Sequence, residues 1–163
     1  MNDQQRVGIS EYRIAGAPQK LISYGLGSCV GVILYEPELK LGGLAHTLLP
    51  ERRPGMGEDR PGKFVTLAIR RMLRELLELG AERDRITARL CGGAHMFHPP
   101  PDDPAHTVGQ RNIRAARKTL DELGIELSGE DVGGRIGRTV EFDLATGKVL
   151  LRLVRGQDKT REL

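Results

Sequence analysis

LISYGLGSCVGVILYEPELKLGGLAHTLLP, residues 21–50, contains two apolar runs separated by a turn signal. Residues 30–35 are rich in β-branched and aromatic side chains, which is typical of a buried strand. Residues 41–49 form the second run, which Pro50 closes, and Glu36-Pro37-Glu38 stands between the two. This order predicts two neighbouring strands or a hairpin.

Two chemically active side chains lie at one end of these predicted strands. Cys29 follows Gly25-Leu26-Gly27-Ser28 and opens the first run, and His46 lies in the second. If the runs pair, His46 returns to the end of the sheet that carries Cys29. A thiol with an ordinary pKa of about 8.5 attacks as the thiolate, and an imidazole within hydrogen-bond reach takes its proton. The pair therefore predicts a nucleophile and a general base.

Three further positions complete the predicted site. Ser23 is the nearest polar side chain on the strand before the glycines, so its hydroxyl is the candidate to orient the imidazole. Backbone N–H groups around Gly27 and Ser28 are candidates to bind a developing oxyanion. A simpler interpretation makes Cys29 a buried core residue and His46 an ordinary polar residue at a strand end. Composition and spacing alone favour that simpler interpretation.

The residues around Cys29 and His46 resemble the CheD family of bacterial chemoreceptor glutamine deamidases. GLGSCVGV and GGLAHTLLP carry the resemblance, with His46 seventeen positions after Cys29. Similar motifs follow in the family order at residues 61–64 (PGKF), 91–97 (CGGAHMF), 108–112 (VGQRN), 130–134 (EDVGG) and 137–138 (GR). The resemblance extends from Ile9 to Val154, which is nearly the whole chain.

The resemblance implies a cysteine-dependent amidohydrolase that converts receptor glutamines to glutamates through a thioester on Cys29, with His46 as the base. The third family residue is typically a threonine six positions before the cysteine, where this chain has Ser23, which keeps the hydroxyl and lacks the methyl group. The implied partners are chemoreceptor cytoplasmic helices and a CheC-type phosphatase. The implied fold is a layered sandwich like that of bacterial toxin deamidases.

Periodicity along the rest of the chain predicts two main helices and several strands. Apolar residues recur at helical spacing from residue 65 to 77, before Gly80, and again from residue 108 to 123, before Gly124. Strands are expected at residues 21–24, 86–90, 125–127, 138–143 and 148–154, with an edge strand in residues 7–14. Because strands occur in adjacent pairs, we predict an α+β fold with antiparallel or mixed sheets.

Length and composition limit the classes of protein that remain. The 163 residues, with 39% hydrophobic content, fit one domain over residues 1–163, with polar ends at 1–6 and 155–163. The end at residues 155–163 is expected to be frayed. No apolar run reaches the roughly 20 residues of a membrane span, which predicts a cytoplasmic protein without membrane insertion. The charge of +3 does not indicate nucleic-acid binding, because few aromatic residues are present to stack on bases.

Neither a metal nor a cofactor is predicted. Several potential ligands crowd together in the sequence, namely Cys91, His95, His98, Asp102, Asp103 and His106. Their spacing matches no structural zinc pattern, and the run of prolines at residues 99–101 prevents a compact helix there.

Two alternatives to chemoreceptor deamidation stay open at this point. A binding module that docks on receptors or on a phosphatase would have an unreactive Cys29. A cysteine amidase or peptidase with another substrate would have the same signature. Arg111, Arg114 and Lys118 form a basic side of the second helix, which is a candidate for docking an acidic partner and is more often only a solvated face.

Overall fold

The computed structural model describes residues 3–57, 60–96, 102–154 and 159–163. Its strands are β1 (Gln4–Arg6), β2 (Tyr12–Gly16), β3 (Lys20–Leu26), β4 (Val30–Glu36), β5 (Leu41–Thr47), β6 (Thr87–Gly92), β7 (Glu126–Val132), β8 (Arg138–Asp143), β9 (Val149–Leu153) and β10 (Thr160–Glu162). Its helices are α1 (Val65–Glu78) and α2 (Val108–Glu122), with single 3-10 turns at Pro61–Lys63, Arg83–Arg85 and Pro104–His106.

The strands of the described residues form two five-stranded mixed sheets. The first has the order β1-β3-β8-β9-β10, and the second has the order β2-β5-β4-β6-β7. Within them, β1 pairs with β3 and β6 pairs with β7 in parallel, while the other neighbours are antiparallel. The predicted α+β class, with mixed sheets and two main helices, is confirmed.

The layers follow from the alternation of side chains along β4 and β5. Val30, Val32 and Leu34 face α1 and α2 in one apolar cluster, whereas Ile33 belongs to a second cluster between the two sheets. Successive side chains of a strand point to opposite faces, so the second sheet has one face on the helices and one on the first sheet. This produces the order helices, second sheet, first sheet.

Both helices bury the apolar stripe that their sequences predict. In α1 the buried side chains are Val65, Ala68, Ile69, Met72, Leu73 and Leu76. The helix ends before Gly80, whose φ of +99° is a conformation that favours glycine. At the start of α2 the Thr107 hydroxyl accepts the Gln110 amide N–H at 3.2 Å, which satisfies one of the free donors of the first turn.

The central hairpin is confirmed and has a defined register. Val30 is opposite Thr47, and Gly31 is opposite His46. On its other side β4 pairs with β6, so that Gly31 is also opposite Cys91. Residues opposite each other in neighbouring strands share a face, and this register therefore places His46 and Cys91 in the layer between the sheets.

One expectation for the chain end is wrong. Residues 160–162 were expected to be frayed with the rest of 155–163, but they pair antiparallel with β9 as β10. Leu163 packs against the cluster between the sheets, which anchors this end. Residues 155–158 lie outside the described residues. No helix among the described residues is both long enough and apolar enough to cross a bilayer.

Gly31 provides a test of this register. A Cβ at that position would lie 2.8 Å from Cys91 Sγ and 3.1 Å from Leu26 Cδ1. We expect Gly31→Ala to lower the free energy of unfolding by about 1–3 kcal/mol through overpacking, measured by urea denaturation. Adding Cys91→Ala removes the crowded sulfur, so the two losses should be less than additive. Strictly additive losses would contradict the contact.

Candidate active site

Residues from both sheets and from one loop meet in the layer between the sheets. Ser23 lies on β3 in the first sheet, His46 lies on β5 in the second, and Cys29 directly precedes β4. Their relative exposures are 0%, 1% and 7%, respectively. Ser23 and His46 are in direct contact, and Cys29 lies in the same layer, two residues before Gly31, which is opposite His46. The sequence did not indicate that two different sheets supply these side chains.

The hydrogen bonds of Ser23 determine which nitrogen of His46 carries the proton. Ser23 Oγ donates to the Val7 carbonyl at 2.7 Å and lies 2.7 Å from His46 Nδ1. A hydroxyl can donate only one hydrogen bond. Ser23 donates it to the Val7 carbonyl, so Oγ accepts the hydrogen bond that the Nδ1–H group of His46 donates. Neutral His46 therefore has its proton on Nδ1 and a bare lone pair on Nε2. His46 Nε2 is buried and has no hydrogen-bond partner among the described residues.

Burial keeps both reactive groups neutral. Desolvation lowers the pKa of His46 from 6.5 to about 4, and desolvation raises the pKa of the Cys29 thiol, opposed by a smaller effect of its own backbone N–H. At neutral pH the resting site consequently holds a thiol and an imidazole. Proton transfer from sulfur to Nε2 would have to accompany attack.

The loop that carries Cys29 is held by its carbonyl groups. The Gly27 carbonyl accepts the Ala94 amide N–H and the Cys29 carbonyl accepts the Gly93 amide N–H, both at 2.8 Å. The Ser28 carbonyl between them accepts a hydrogen bond from the Asn112 side chain of α2 at 3.0 Å. Three successive carbonyls thus have donors from outside the loop, and this anchors Cys29 without a helix around it.

Anchored carbonyls orient the amide groups that follow them. In a trans peptide the N–H points opposite to the C=O of the same unit. The N–H groups of Ser28 and Cys29 are therefore directed away from Ala94 and α2. In the described part of the chain no carbonyl accepts either of these N–H groups. They remain available to bind an oxyanion.

Two glycines at the end of β6 allow this close approach. A Cβ at Gly92 would collide with the Cys29 carbonyl oxygen, and Gly92 and Gly93 have φ angles of +92° and +69°. Both the space and the backbone angles require glycine at this point. The Gly92-Gly93 pair is thus explained by the anchoring of the Cys29 loop.

Asn112 is a site residue that sequence reasoning missed. Its side chain is fully buried, and its Nδ2 donates to the Ser28 carbonyl at 3.0 Å and to the Leu48 carbonyl at 3.1 Å. It therefore joins the loop before Cys29 to the segment just after His46. One feature of the sequence could have indicated a buried role for Asn112. It is a polar residue in the apolar stripe of α2, four residues before Ala116 and eight before Leu120.

The His, Cys and Asp residues that lie close together in the sequence between residues 91 and 106 form no metal-binding cluster among the described residues. Burial raises the pKa of Cys91 to about 12, and this thiol lies in the sheet against the Gly31 carbonyl. His106 pairs with Asp103 on the exposed surface at 3.0 Å. His98 lies outside the described residues. No group of three His, Cys, Asp or Glu side chains suited to a metal ion occurs within the described ranges.

Most of the chain is similar in sequence to proteins of one family. The family model described as CheD chemotactic sensory transduction matches residues 48–153. A protein named probable chemoreceptor glutamine deamidase CheD 2, from Geobacter metallireducens, is 48% identical over 147 residues, which cover 90% of this chain and 91% of that protein. The chemoreceptor glutamine deamidase CheD of Thermotoga maritima is 39% identical over 153 residues, covering 94% of each.

A solved structure was also similar in part. The crystal structure of the Bacillus licheniformis hypothetical protein YfiH aligns with a TM-score of 0.45 and 16% identity, covering 73% of this chain and 49% of that one.

The neutral state of His46 predicts a pH dependence of stability. Between pH 6.5 and 4 the unfolded chain binds a proton at this residue and the folded chain does not. Stability should therefore fall as the pH falls through this range, by on the order of 2–3 kcal/mol. Urea denaturation at several pH values measures this loss.

Two variants separate His46 from the other titrating groups. His46→Gln should lose less stability than the wild type between pH 6.5 and 4, since glutamine binds no proton. His106→Gln removes an imidazole whose side chain is 75% exposed and should follow the wild-type curve. Parallel curves for His46→Gln and the wild type would contradict a buried neutral imidazole.

Proposed function

Because this chain belongs to the CheD family, we propose that it deamidates glutamine side chains of chemoreceptors and converts them to glutamate. The observation that carries this proposal is the arrangement of His46. Ser23 holds the proton on Nδ1, which leaves the bare Nε2 as the base for Cys29. The names of the relatives supply the substrate class, and the geometry supplies a mechanism for it.

The first half of the proposed reaction forms a thioester and releases ammonia. Cys29 Sγ attacks the carboxamide carbon while its proton moves to His46 Nε2, and the electrons of the C=O bond move onto oxygen. The N–H groups of Ser28 and Cys29 donate to that oxyanion. When the oxyanion collapses, the C–N bond breaks and Nε2–H protonates the departing nitrogen.

The second half consumes water and restores the thiol. Nε2 removes a proton from a water molecule that attacks the thioester carbon, and the C–S bond then breaks. The sulfur takes the proton back from the imidazolium, and the product is a glutamate side chain. Burial lowers the pKa of His46, so the protonated ring gives up its proton readily to the departing nitrogen of the first half-reaction.

The depth of the site supports a side-chain amide as the substrate. Cys29 is 7% exposed and its loop is anchored by Gly93, Ala94 and Asn112. An extended glutamine side chain projects its carboxamide away from its own backbone, whereas a peptide bond within a folded protein would have to bring two chain segments to the buried thiol. We therefore favour deamidation over peptide hydrolysis.

Partners and compartment follow from the proposed substrate. The enzyme would act on chemoreceptor cytoplasmic helices and would therefore work in the cytoplasm. Each turnover would add one negative charge to a receptor helix, which is the means of tuning its signalling. A CheC-type phosphatase as a further partner remains a prediction.

Three variants test the catalytic roles with mass spectrometry of a receptor cytoplasmic fragment. Cys29→Ala should abolish conversion of glutamine to glutamate, because no thioester forms. His46→Ala should reduce kcat by about 100-fold or more. Ser23→Ala should cost less, about tenfold, because the imidazole stays in the buried layer and loses only its orienting bond.

Cys91→Ala is the matched control for these variants. It removes the second buried thiol, which has no part in the proposed reaction, and should keep wild-type kcat. If the wild type converts no glutamine to glutamate, the proposed function is contradicted and a binding module is favoured. Equal losses in Ser23→Ala and His46→Ala would refute the smaller role assigned to Ser23.

Asn112 is proposed as a positioning residue, since it acts through the Ser28 carbonyl. Asn112→Ala should lower kcat about tenfold at nearly unchanged KM, because the oxyanion donors lose their orientation. Thr119→Ala is the control on the same helix. Within the described part of the chain the Thr119 hydroxyl bonds only to the Ala115 carbonyl, at 2.8 Å. Equal loss of thermal stability with unchanged kcat in both variants would restrict Asn112 to a structural role.

A further inference from the structure

A basic groove runs between α1 and α2 on the outer side of the helical layer. Its volume is about 530 Å³, and its lining includes five Arg or Lys side chains and two Glu side chains. Arg111, Arg114 and Lys118 line it from α2, and Arg70 lines it from α1. The catalytic steps proposed above use none of these side chains.

Part of the positive charge in this groove is not neutralised by the protein. Arg70 pairs with Glu122 at 3.1 Å, and Arg114 donates to the Ala105 carbonyl. Arg111 and Lys118 form no ion pair with the other described residues. Arg111 Nε is also buried without a hydrogen-bond partner there. Buried or half-buried guanidinium donors are costly unless an acceptor satisfies them.

The groove adjoins the elements that hold the catalytic residues. Arg111 directly precedes Asn112, whose side chain binds the Ser28 and Leu48 carbonyls. At its other wall, the Pro50 carbonyl accepts the Thr66 amide N–H at 3.2 Å, and both residues line the groove. A macromolecule that reaches Cys29 can therefore extend over neighbouring surface toward this groove.

We propose that this groove docks a glutamate-bearing segment of the chemoreceptor, separate from the glutamine that is deamidated. The inference rests on the proposed function and adds a second contact to it. Carboxylates are the partners that guanidinium groups bind through paired hydrogen bonds. Deamidation itself creates carboxylates on the receptor. Glutamates formed in earlier turnovers therefore strengthen the docking of that receptor in later ones. The described lining residues include no aromatic ring on which a nucleic-acid base would stack.

Matched charge reversals test the groove. Lys118→Glu changes an exposed groove residue, and Arg152→Glu makes the same change of charge at an exposed position on β9 in the other sheet. With the full chain and a receptor cytoplasmic fragment, we expect Lys118→Glu to raise KM roughly fivefold to tenfold at unchanged kcat. Arg152→Glu should leave both constants near the wild-type values. The salt dependence of kcat/KM should be weaker in Lys118→Glu than in the wild type.

Two further measurements separate docking from chemistry. A short oligoglutamate peptide should inhibit the wild type competitively and should inhibit Lys118→Glu several-fold less. Alkylation of Cys29 by iodoacetamide should proceed at the same rate in both proteins, since this small reagent does not use the groove. Slower alkylation in Lys118→Glu would mean that the substitution disturbs the active site, and that result would overturn the proposal.

The remaining outcomes are equally decisive. If the wild type deamidates the fragment and the two charge reversals behave alike, the groove proposal is overturned and the proposed function stands. If a short oligonucleotide competes as well as oligoglutamate, the groove is a general anion site and the proposal also fails. If the wild type converts no glutamine, the proposed function fails, and receptor docking in the groove fails with it.

Discussion

The hydrogen bond between Ser23 and His46 joins side chains from two different sheets and sets the orientation of the imidazole. Ser23 is oriented by the Val7 carbonyl, and the imidazole is oriented by Ser23. Since the bond lies in the dry layer between the sheets, it both aligns the ring and selects its tautomer. Packing of the two sheets is therefore a chemical requirement as well as a source of stability.

Burial hinders formation of the Cys29 thiolate but favours stabilisation of the oxyanion in the proposed reaction. It raises the pKa of Cys29 and lowers that of His46, so the site starts without charge and thiolate is scarce. The same environment strengthens the N–H donors near Cys29, because electrostatic interactions are stronger in a buried region of low dielectric constant. The anchored loop pre-orients these donors, which reduces the reorganisation needed when the oxyanion forms.

Local sequence signals predicted most of the fold for clear physical reasons. The hairpin of β4 and β5 has a turn signal between two apolar runs, and each helix has an apolar stripe that ends before a glycine. Strand β7 was predicted only for residues 125–127 and runs from Glu126 to Val132. Its later residues are mostly polar and only partly buried, so they carry little local signal, and parallel pairing with β6 defines them.

The amino-acid sequence alone was enough to single out the side chains proposed to react, because a thiol, an imidazole and a hydroxyl have the same chemical capacities wherever the chain places them. It also determined the hairpin that returns His46 toward Cys29, since short-range turn and strand preferences are local. Only the tertiary structure decided that Ser23 approaches from the other sheet, that Asn112 reaches Ser28 from α2, and that α1 and α2 enclose a basic groove. These contacts join residues far apart in the chain, and their geometry depends on how whole layers pack.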